Sequence, residues 1–201
     1  LDGPMSVALS VDGTRVIVTG NNDDSISWFN RNAATGALAY GGTLTDNANS
    51  VSGLDEANGI TLSADGKHIY VTGNADDAVS WYERNAHTGA LIYGGMLKDG
   101  GGGVDGLDGA LSIILSTDGK HAYVSGSADN AVSWHERNAS TGALIYGGML
   151  QDGVNGVDGL EGAWDVMLSV DGKHAYVPGG GDDAVSWYER NASTGALTYG
   201  G

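Results

Sequence analysis

The chain has 201 residues with 35 glycines, no cysteine and a formal net charge of −16 at pH 7. This charge argues against binding to nucleic acid or to anionic membranes, because both need a basic surface, and the lack of cysteine excludes disulfides and thiolate chemistry. The 41% hydrophobic content is too high for a disordered chain, and no apolar run approaches the ~20 residues of a membrane span.

From its first residue the chain is a repeat with a period of 53 residues. One tryptophan stands at the same place in each copy: Trp28, Trp81, Trp134 and Trp187. The copies span residues 1–53, 54–106, 107–159 and 160–201. A fixed period near 50 is typical of propellers, solenoids and arrays, so we predict a single repeat domain over residues 1–201. Because the chain begins with Leu1 rather than methionine, we expect a processed or excised segment.

Four short β-strands, A to D, follow one another within each copy. In chain order they are typified by "SVALS" (6–10), "KHIYV" (67–71), "DAVSWYER" (77–84) and "GALIYGG" (89–95). Turn residues separate them, such as Asp65-Gly66 between strands A and B and Asn85 to Gly89 between strands C and D. No stretch has a helical period. The pattern predicts an all-β propeller of four near-identical, four-stranded blades.

The segment "LSADGKHIYVTGNADDAVSWYERNAHTGAL" (62–91) resembles the YVTN-type repeat of bacterial lactonase-like β-propellers, relatives of 6-phosphogluconolactonase. The resemblance extends over essentially the whole chain and implies the propeller fold. It also implies lactone hydrolysis as one function to consider. Members of this family usually carry about seven blades, whereas this chain has four, and no catalytic motif of the family is present to transfer.

The four copies differ mainly at the start of strand A and in the B–C loop. We expect both segments on one face of the propeller, where ligands usually bind. Trp164 is the one tryptophan outside the repeat pattern, and an indole beside a carboxylate suits stacking on a sugar ring or another flat ligand. The alternative is that these positions vary because nothing constrains them. The predicted ligand-binding residues are Met5, Asn58, Leu111, Trp164, Asp165, Asn21 and Asn74.

The connector "GGGGVDGLD" (100–108) fits a nonapeptide pattern of calcium-binding β-rolls. Calcium is the one ion that the sequence suggests, and no other cofactor is expected. The alternative is a flexible acidic connector, since such rolls need tandem nonapeptides. The predicted metal ligands, which supply hard carboxylate oxygens, are Asp105, Asp108, Asp158 and Glu161.

Other polar residues recur once per blade and are therefore predicted to be structural. The aspartate pairs before strand C, such as Asp76-Asp77, are expected to cap a turn rather than to form an acid–base pair or bind a cation. His68, His121 and His174 lie on separate blades, too far apart for one metal. The strand-C tryptophans are expected to pack between blades.

These observations favour a non-catalytic binding or scaffold module, extracellular or periplasmic, that presents its variable face to a small molecule, a glycan or a protein. A lectin with repeated carbohydrate sites and a lactonase-like hydrolase are the alternatives. Ring closure is open: four blades could close alone, two chains could pair, or the chain could belong to a longer array. We expect a homo-oligomer or a larger assembly, because an open ring would expose apolar blade faces.

Overall fold

The computed structural model describes residues 1–201 and consists of β-strands, turns and loops. Blade 1 contains β1 (Pro4–Leu9), β2 (Arg15–Gly20), β3 (Ser25–Arg31) and β4 (Leu38–Thr45). Blade 2 contains β5 (Ala57–Leu62), β6 (His68–Gly73), β7 (Ala78–Arg84) and β8 (Leu91–Lys98). Blade 3 contains β9 (Ala110–Leu115), β10 (His121–Gly126), β11 (Ala131–Arg137) and β12 (Leu144–Gln151). Blade 4 contains β13 (Met167–Leu168), β14 (His174–Gly179), β15 (Ala184–Arg190) and β16 (Leu197–Tyr199).

Each blade is one antiparallel sheet whose four strands lie side by side in chain order. The all-β prediction of four four-stranded blades is confirmed, and no blade borrows a strand from another part of the chain. The structure holds no helix that is long and apolar enough to cross a membrane.

The turn between strands A and B is stabilised by a small polar network. In blade 1 the hydroxyl of Ser10 donates to the carboxylate of Asp12, which also accepts from the backbone N–H of Thr14 at 3.0 Å. The hydrogen bond from Ser10 lowers the pKa of Asp12 well below its usual range. Gly13 follows with a φ of +67°, a conformation that glycine adopts without strain. The recurrent Asp-Gly pair is therefore a turn signal, as the sequence indicates.

A glycine pair in strand D makes room for the strand-C tryptophan. A Cβ atom on Gly95 would lie 2.6 Å from Cζ2 of Trp81, so no side chain fits beneath the indole. The pairing of β7 with β8 shifts by one residue at the same point, after Trp81. The shift is a bulge that lets the ring lie across strand D.

Apolar cores join consecutive blades. One core lies between blades 1 and 2, a second between blades 2 and 3, and a third between blades 3 and 4, each with ten buried residues. Trp28 and Trp81 are buried in the first two cores and Trp134 packs against the third, which confirms the prediction for the tryptophans of the first three blades. We call these contacts the first, second and third junctions.

The outward faces of blades 1 and 4 carry the same kinds of residues, but nothing within the chain covers them. Val185 is 67% exposed, whereas its counterparts Val79 and Val132 are fully buried. Leu38 is 51% exposed, whereas its counterpart Leu91 is 5% exposed. The four blades therefore form an arc with two uncovered apolar ends, and they do not close a ring by themselves.

Candidate functional site

The two variable segments of each blade lie against each other. In blade 1 the backbone N–H of Asn21 in the B–C loop donates to the carbonyl of Gly3, just before strand A, at 2.9 Å. In blade 2 the N–H of Asn74 donates to the carbonyl of Glu56 at 3.2 Å. The same bond recurs in blades 3 and 4. We call this side of the arc, formed by the start of strand A and the B–C loop of each blade, the top edge.

Threonine hydroxyls connect the top edge from one blade to the next. Thr19 Oγ1 donates to the carbonyl of Asn58 at 2.7 Å, and Thr72 Oγ1 donates to the carbonyl of Leu111 at 2.9 Å. The backbones at these two predicted positions are thus fixed. The side chains of Asn58 and Leu111 are half-buried, and that of Met5, at the open end, is 57% exposed.

The indole of Trp164 lies against the B–C loop of blade 4. The indole is 64% exposed, and a Cβ atom on Gly180 would lie 2.5 Å from its Nε1 atom. Blades 1 and 2 carry Asn21 and Asn74 at the position of Gly180. Because the indole occupies the space of a side chain at 180, the two changes in blade 4 depend on each other, which independent drift does not explain.

Asp165 lies between blades 3 and 4. Its carboxylate accepts a hydrogen bond from the hydroxyl of Ser112 and another from the N–H of Val166 at 2.8 Å. The hydrogen bond from the N–H of Val166 to Asp165 interrupts strand A. In this blade strand A is reduced to the two residues of β13. We call Ser112, Trp164 and Asp165 the top-edge cluster, in which Trp164 and Asp165 are exposed and Ser112 is half-buried. It combines an aromatic face, a carboxylate and a hydroxyl.

The top-edge cluster is open surface rather than an enclosed cavity. The shallow depressions of the molecule lie elsewhere, and two of them are on the uncovered ends of the arc. The depression on blade 4 is lined by Gly159 and Ser186 among others. In blade 3 the equivalent space beside Gly106 is filled by Met149. The top edge therefore suits a ligand that rests on a surface.

Carboxylates converge beside the connectors that follow blades 2 and 3. Oxygen atoms of Asp99, Asp105 and Asp129 lie within 4.8 Å of one another, and the same holds for the equivalent residues Asp152, Asp158 and Asp182. Burial, then the nearby charges of Asp99 and Asp105, raise the pKa of Asp129. Several carboxylate oxygens at this spacing are the donor type that calcium prefers.

Two of the four predicted metal ligands belong to these clusters, namely Asp105 and Asp158. Asp108 and Glu161 instead serve through their backbones, whose N–H groups donate to Asp129 at 2.9 Å and to Asp182 at 2.8 Å. Sequence reasoning assigned the aspartates of the B–C loop to turn caps and missed those at the end of strand D. The recurrence of the strand-D aspartate in the first three copies was the signal that could have found it. Calcium binding stays a prediction.

The aspartate pairs cap turns, as predicted, and also join blades. Asp76 accepts the N–H of Asp55 in its own blade at 3.1 Å. Asp77, which has a φ of +52°, accepts the N–H of Gly109 in the next blade at 3.1 Å. This repeated structural role accounts for the pairs without any catalytic function.

The repeated histidines act as acceptors at the junctions. His68 Nδ1 lies 2.9 Å from Arg137 Nη2, and His121 makes the same contact with Arg190. Burial, and then the charge of Arg137, lower the pKa of His68, so the ring is neutral near pH 7. His68 and His121 serve separate junctions and His174 lies at the uncovered end of blade 4, so the three do not form a shared metal site.

The fold and the top edge define this chain as the blade array of a β-propeller. Its structural neighbours are lactonase-like propellers. It superposes on a candidate 6-phosphogluconolactonase from Bacteroides uniformis with a TM-score of 0.79 and 20% identity, covering 98% of this chain and 53% of that one. On a periplasmic gluconolactonase from Pseudomonas aeruginosa the TM-score is 0.76 with 19% identity, covering 98% and 53%.

A solved structure with a different name is also similar. Hydrazine synthase from Kuenenia stuttgartiensis matches with a TM-score of 0.68 and 21% identity over 98% of this chain and 48% of that one. No protein-family model and no curated protein sequence matches the chain. At these identities the likeness shows the fold, and the chain spans about half the length of its lactonase-like neighbours.

Proposed function

We propose that the chain is the binding part of a propeller that holds one flat, hydroxyl-bearing ligand, such as a sugar ring, on the top-edge cluster. The observation that supports this is the exposed indole of Trp164, followed in the chain by the exposed Asp165, a pair of residues that blade 4 alone possesses. Aromatic faces stack on flat apolar surfaces of ligands, and carboxylates accept hydrogen bonds from hydroxyl groups.

A single cluster favours one site over a lectin-like series of four. Met5, Asn58 and Leu111 stand where blade 4 has Trp164, and none of them offers an aromatic face. A repeated lectin would need equivalent side chains in every blade. The differences among blades therefore support a module with one ligand, not one sugar per blade.

The test is a titration of intrinsic tryptophan fluorescence with neutral hexoses, aldonic acids and aldonolactones. We expect one of these probes to give a saturable change that disappears in Trp164→Phe and weakens in Asp165→Asn. Trp187→Phe is the matched control, because Trp187 is also exposed, at 39%, but lies away from the top edge. A response that survives in Trp164→Phe, or no saturable response to any probe, would contradict the proposal.

A lactonase-like hydrolase is the second candidate, supported by the names of the structural neighbours. In this case Asp165 would act as general base, taking a proton from a water that attacks the lactone carbonyl. The acyl C–O bond of the ring breaks as the leaving oxygen takes that proton from Asp165, and the product is a hydroxy acid, whose ionisation releases the proton that is measured. The test is proton release from glucono- and 6-phosphogluconolactones at constant pH. Asp165→Asn should abolish the rate above background if this candidate is correct.

A further inference from the structure

The two uncovered ends of the arc are complementary, and the internal junctions show what each end lacks. At the second and third junctions, a tyrosine and a histidine of one blade meet an arginine of the next. Tyr123 donates from its hydroxyl to the carbonyl of Gly195 at 2.9 Å, and Arg190 Nε donates to that same hydroxyl. Tyr123 is fully buried there.

Blade 4 presents the first half of this arrangement to solvent. Tyr176 and His174 occupy the positions of Tyr123 and His121. Tyr176 is 41% exposed, although the same residue is fully buried at the second and third junctions. Val185 and Trp187 lie on the same face and are also exposed. We call this surface of blade 4 the trailing face.

Blade 1 presents the second half. Arg31 stands where Arg190 stands in blade 4 and already donates Nη1 to the carbonyl of Gly13 at 3.0 Å, as Arg190 does to Gly172. Gly36 stands where Gly195 accepts the tyrosine hydroxyl, and the space beside it is open. Leu1 and Val7, which are 56% and 66% exposed, complete an apolar surface that we call the leading face.

The two faces also match in charge and in hydrogen bonding. At the third junction, Arg190 Nη2 lies 3.6 Å from Asp118 of the preceding blade. The trailing face offers the equivalent Asp171 to an incoming Arg31. Asp183 corresponds to Asp77, so it is placed to accept the N–H of Gly3 as Asp77 accepts that of Gly109.

One contact of the internal junctions has no counterpart on the trailing face. Pro178 stands where Thr19 and Thr72 donate their hydroxyls to the next blade. The third junction, where Ser125 takes this position, forms without such a bond. The bond is therefore not required for two blades to join.

We propose that a second copy of this chain covers both ends, with the trailing face of each copy packed on the leading face of the other. Two copies supply eight blades, which lies within the range of about four to eight in propellers. The arc superposes over 98% of its length on chains of which it covers 53%, so two copies supply about as much chain as one such propeller. Head-to-tail contacts of this kind close a ring when the rotation is right and form filaments when it is not.

The test is the native mass of the 201-residue chain, measured by light scattering on a size-exclusion column. We expect twice the chain mass of 20.4 kDa. Val185→Lys should give a folded monomer, because an exposed position tolerates lysine in the monomer but the new charge would be buried between copies. Ile92→Lys is the matched control, since Ile92 is 60% exposed on blade 2, away from both faces. It should stay dimeric.

Arg31→Ala tests the polar part of the contact and should raise the dissociation constant of the dimer about tenfold or more, because it leaves Tyr176 and His174 buried without their donor. A wild-type monomer would overturn the proposal. So would an open series of larger species, or a dimer that survives Val185→Lys. Ligand binding at the top-edge cluster is measured separately, so either proposal can fail alone.

Discussion

The first and second junctions have equally large apolar cores, but their polar contacts differ. At the second junction Tyr70 donates to Gly142 at 2.9 Å and receives Arg137 Nε. At the first junction Ile17 stands in place of this tyrosine. Arg84, the counterpart of Arg137, keeps its bond to Gly66 at 2.8 Å, but its Nη1 atom is buried without a partner. Apolar packing thus suffices to join two blades, and the Tyr–His–Arg set is an addition.

The same two junctions differ beside the connectors. The second junction places Asp99, Asp105 and Asp129 together. The first has Ser52 in place of Asp105, and Lys98 Nζ lies 3.7 Å from Asp76. Negative charge is therefore partly offset by a lysine at the first junction and more concentrated at the second.

The third difference concerns a fully buried ring on strand C. Tyr82 in the first junction hydrogen-bonds to Ser80 at 3.0 Å through its hydroxyl. His135 takes its place in blade 3, with Nε2 3.0 Å from Ser133 Oγ and with Nδ1 buried and unpaired. Burial lowers the pKa of His135 to about 3. These three differences give three predictions.

The largest effect is expected for Arg137→Ala. It removes a buried guanidinium that binds Tyr70, His68 and the carbonyl of Gly119, so the free energy of unfolding should fall by about 3 kcal/mol. Arg84→Ala at the first junction is the control and should cost about 1 kcal/mol, because Arg84 has fewer partners. Urea unfolding followed by tryptophan fluorescence measures both. Equal losses would mean that the Tyr–His–Arg set contributes nothing beyond its packing.

His135→Tyr, which installs the residue of blades 2 and 4, is expected to raise the free energy of unfolding, and to raise it more at acidic pH. The unfolded chain binds a proton near pH 6.5, whereas folded His135 does so only near pH 3, so wild-type stability falls as the pH drops below 6.5. The advantage of the variant should grow by about 2 kcal/mol between pH 6.5 and pH 5.

His135→Phe, which copies Phe29 of blade 1, is the control for this prediction. It removes the same titration without adding a hydroxyl, so it should show the same change with pH. The measurement is the urea midpoint as a function of pH. If wild type and both variants lose stability in parallel on acidification, His135 is not the responsible group.

The smallest effect is expected for Asp105→Ser, which copies Ser52 into the second junction. Less repulsion around Asp129 should raise stability at pH 7 by about 0.5 kcal/mol at low salt, and high salt should remove the gain. Because the pKa of Asp129 is raised in the folded state, the contribution of this one group to stability should fall as the pH rises above 3.8, and less so in the variant.

Calcium added to the same samples tests the predicted ion. Calcium bound at this cluster would raise the thermal midpoint of the wild type more than that of Asp105→Ser, in which only the cluster of Asp152, Asp158 and Asp182 is intact. Identical responses of the two proteins would contradict calcium binding at this cluster. A loss of stability in Asp105→Ser without calcium would contradict the repulsion argument.

Local sequence patterns allowed the strands and the blades to be predicted. The Asp-Gly turns, the alternation in strand B and the tryptophan spacing each depend on a few neighbouring residues, so strands and blades could be predicted. The contact of Trp164 with Gly180 could not, because both positions look like unrelated variation along the chain. Only one residue in three was predicted for each carboxylate cluster, since each cluster gathers residues from a connector, a strand end and the loop of the next blade.

The sequence alone determined the repeat, the strands and the residue types at each junction, because 53-residue copies carry the same turns and the same apolar positions. Only the tertiary structure decided that the four blades form an arc with its two ends uncovered. The reason is physical: the angle between consecutive blades results from side-chain packing across three junctions. Whether four such angles close a ring depends on their sum, which no single repeat contains.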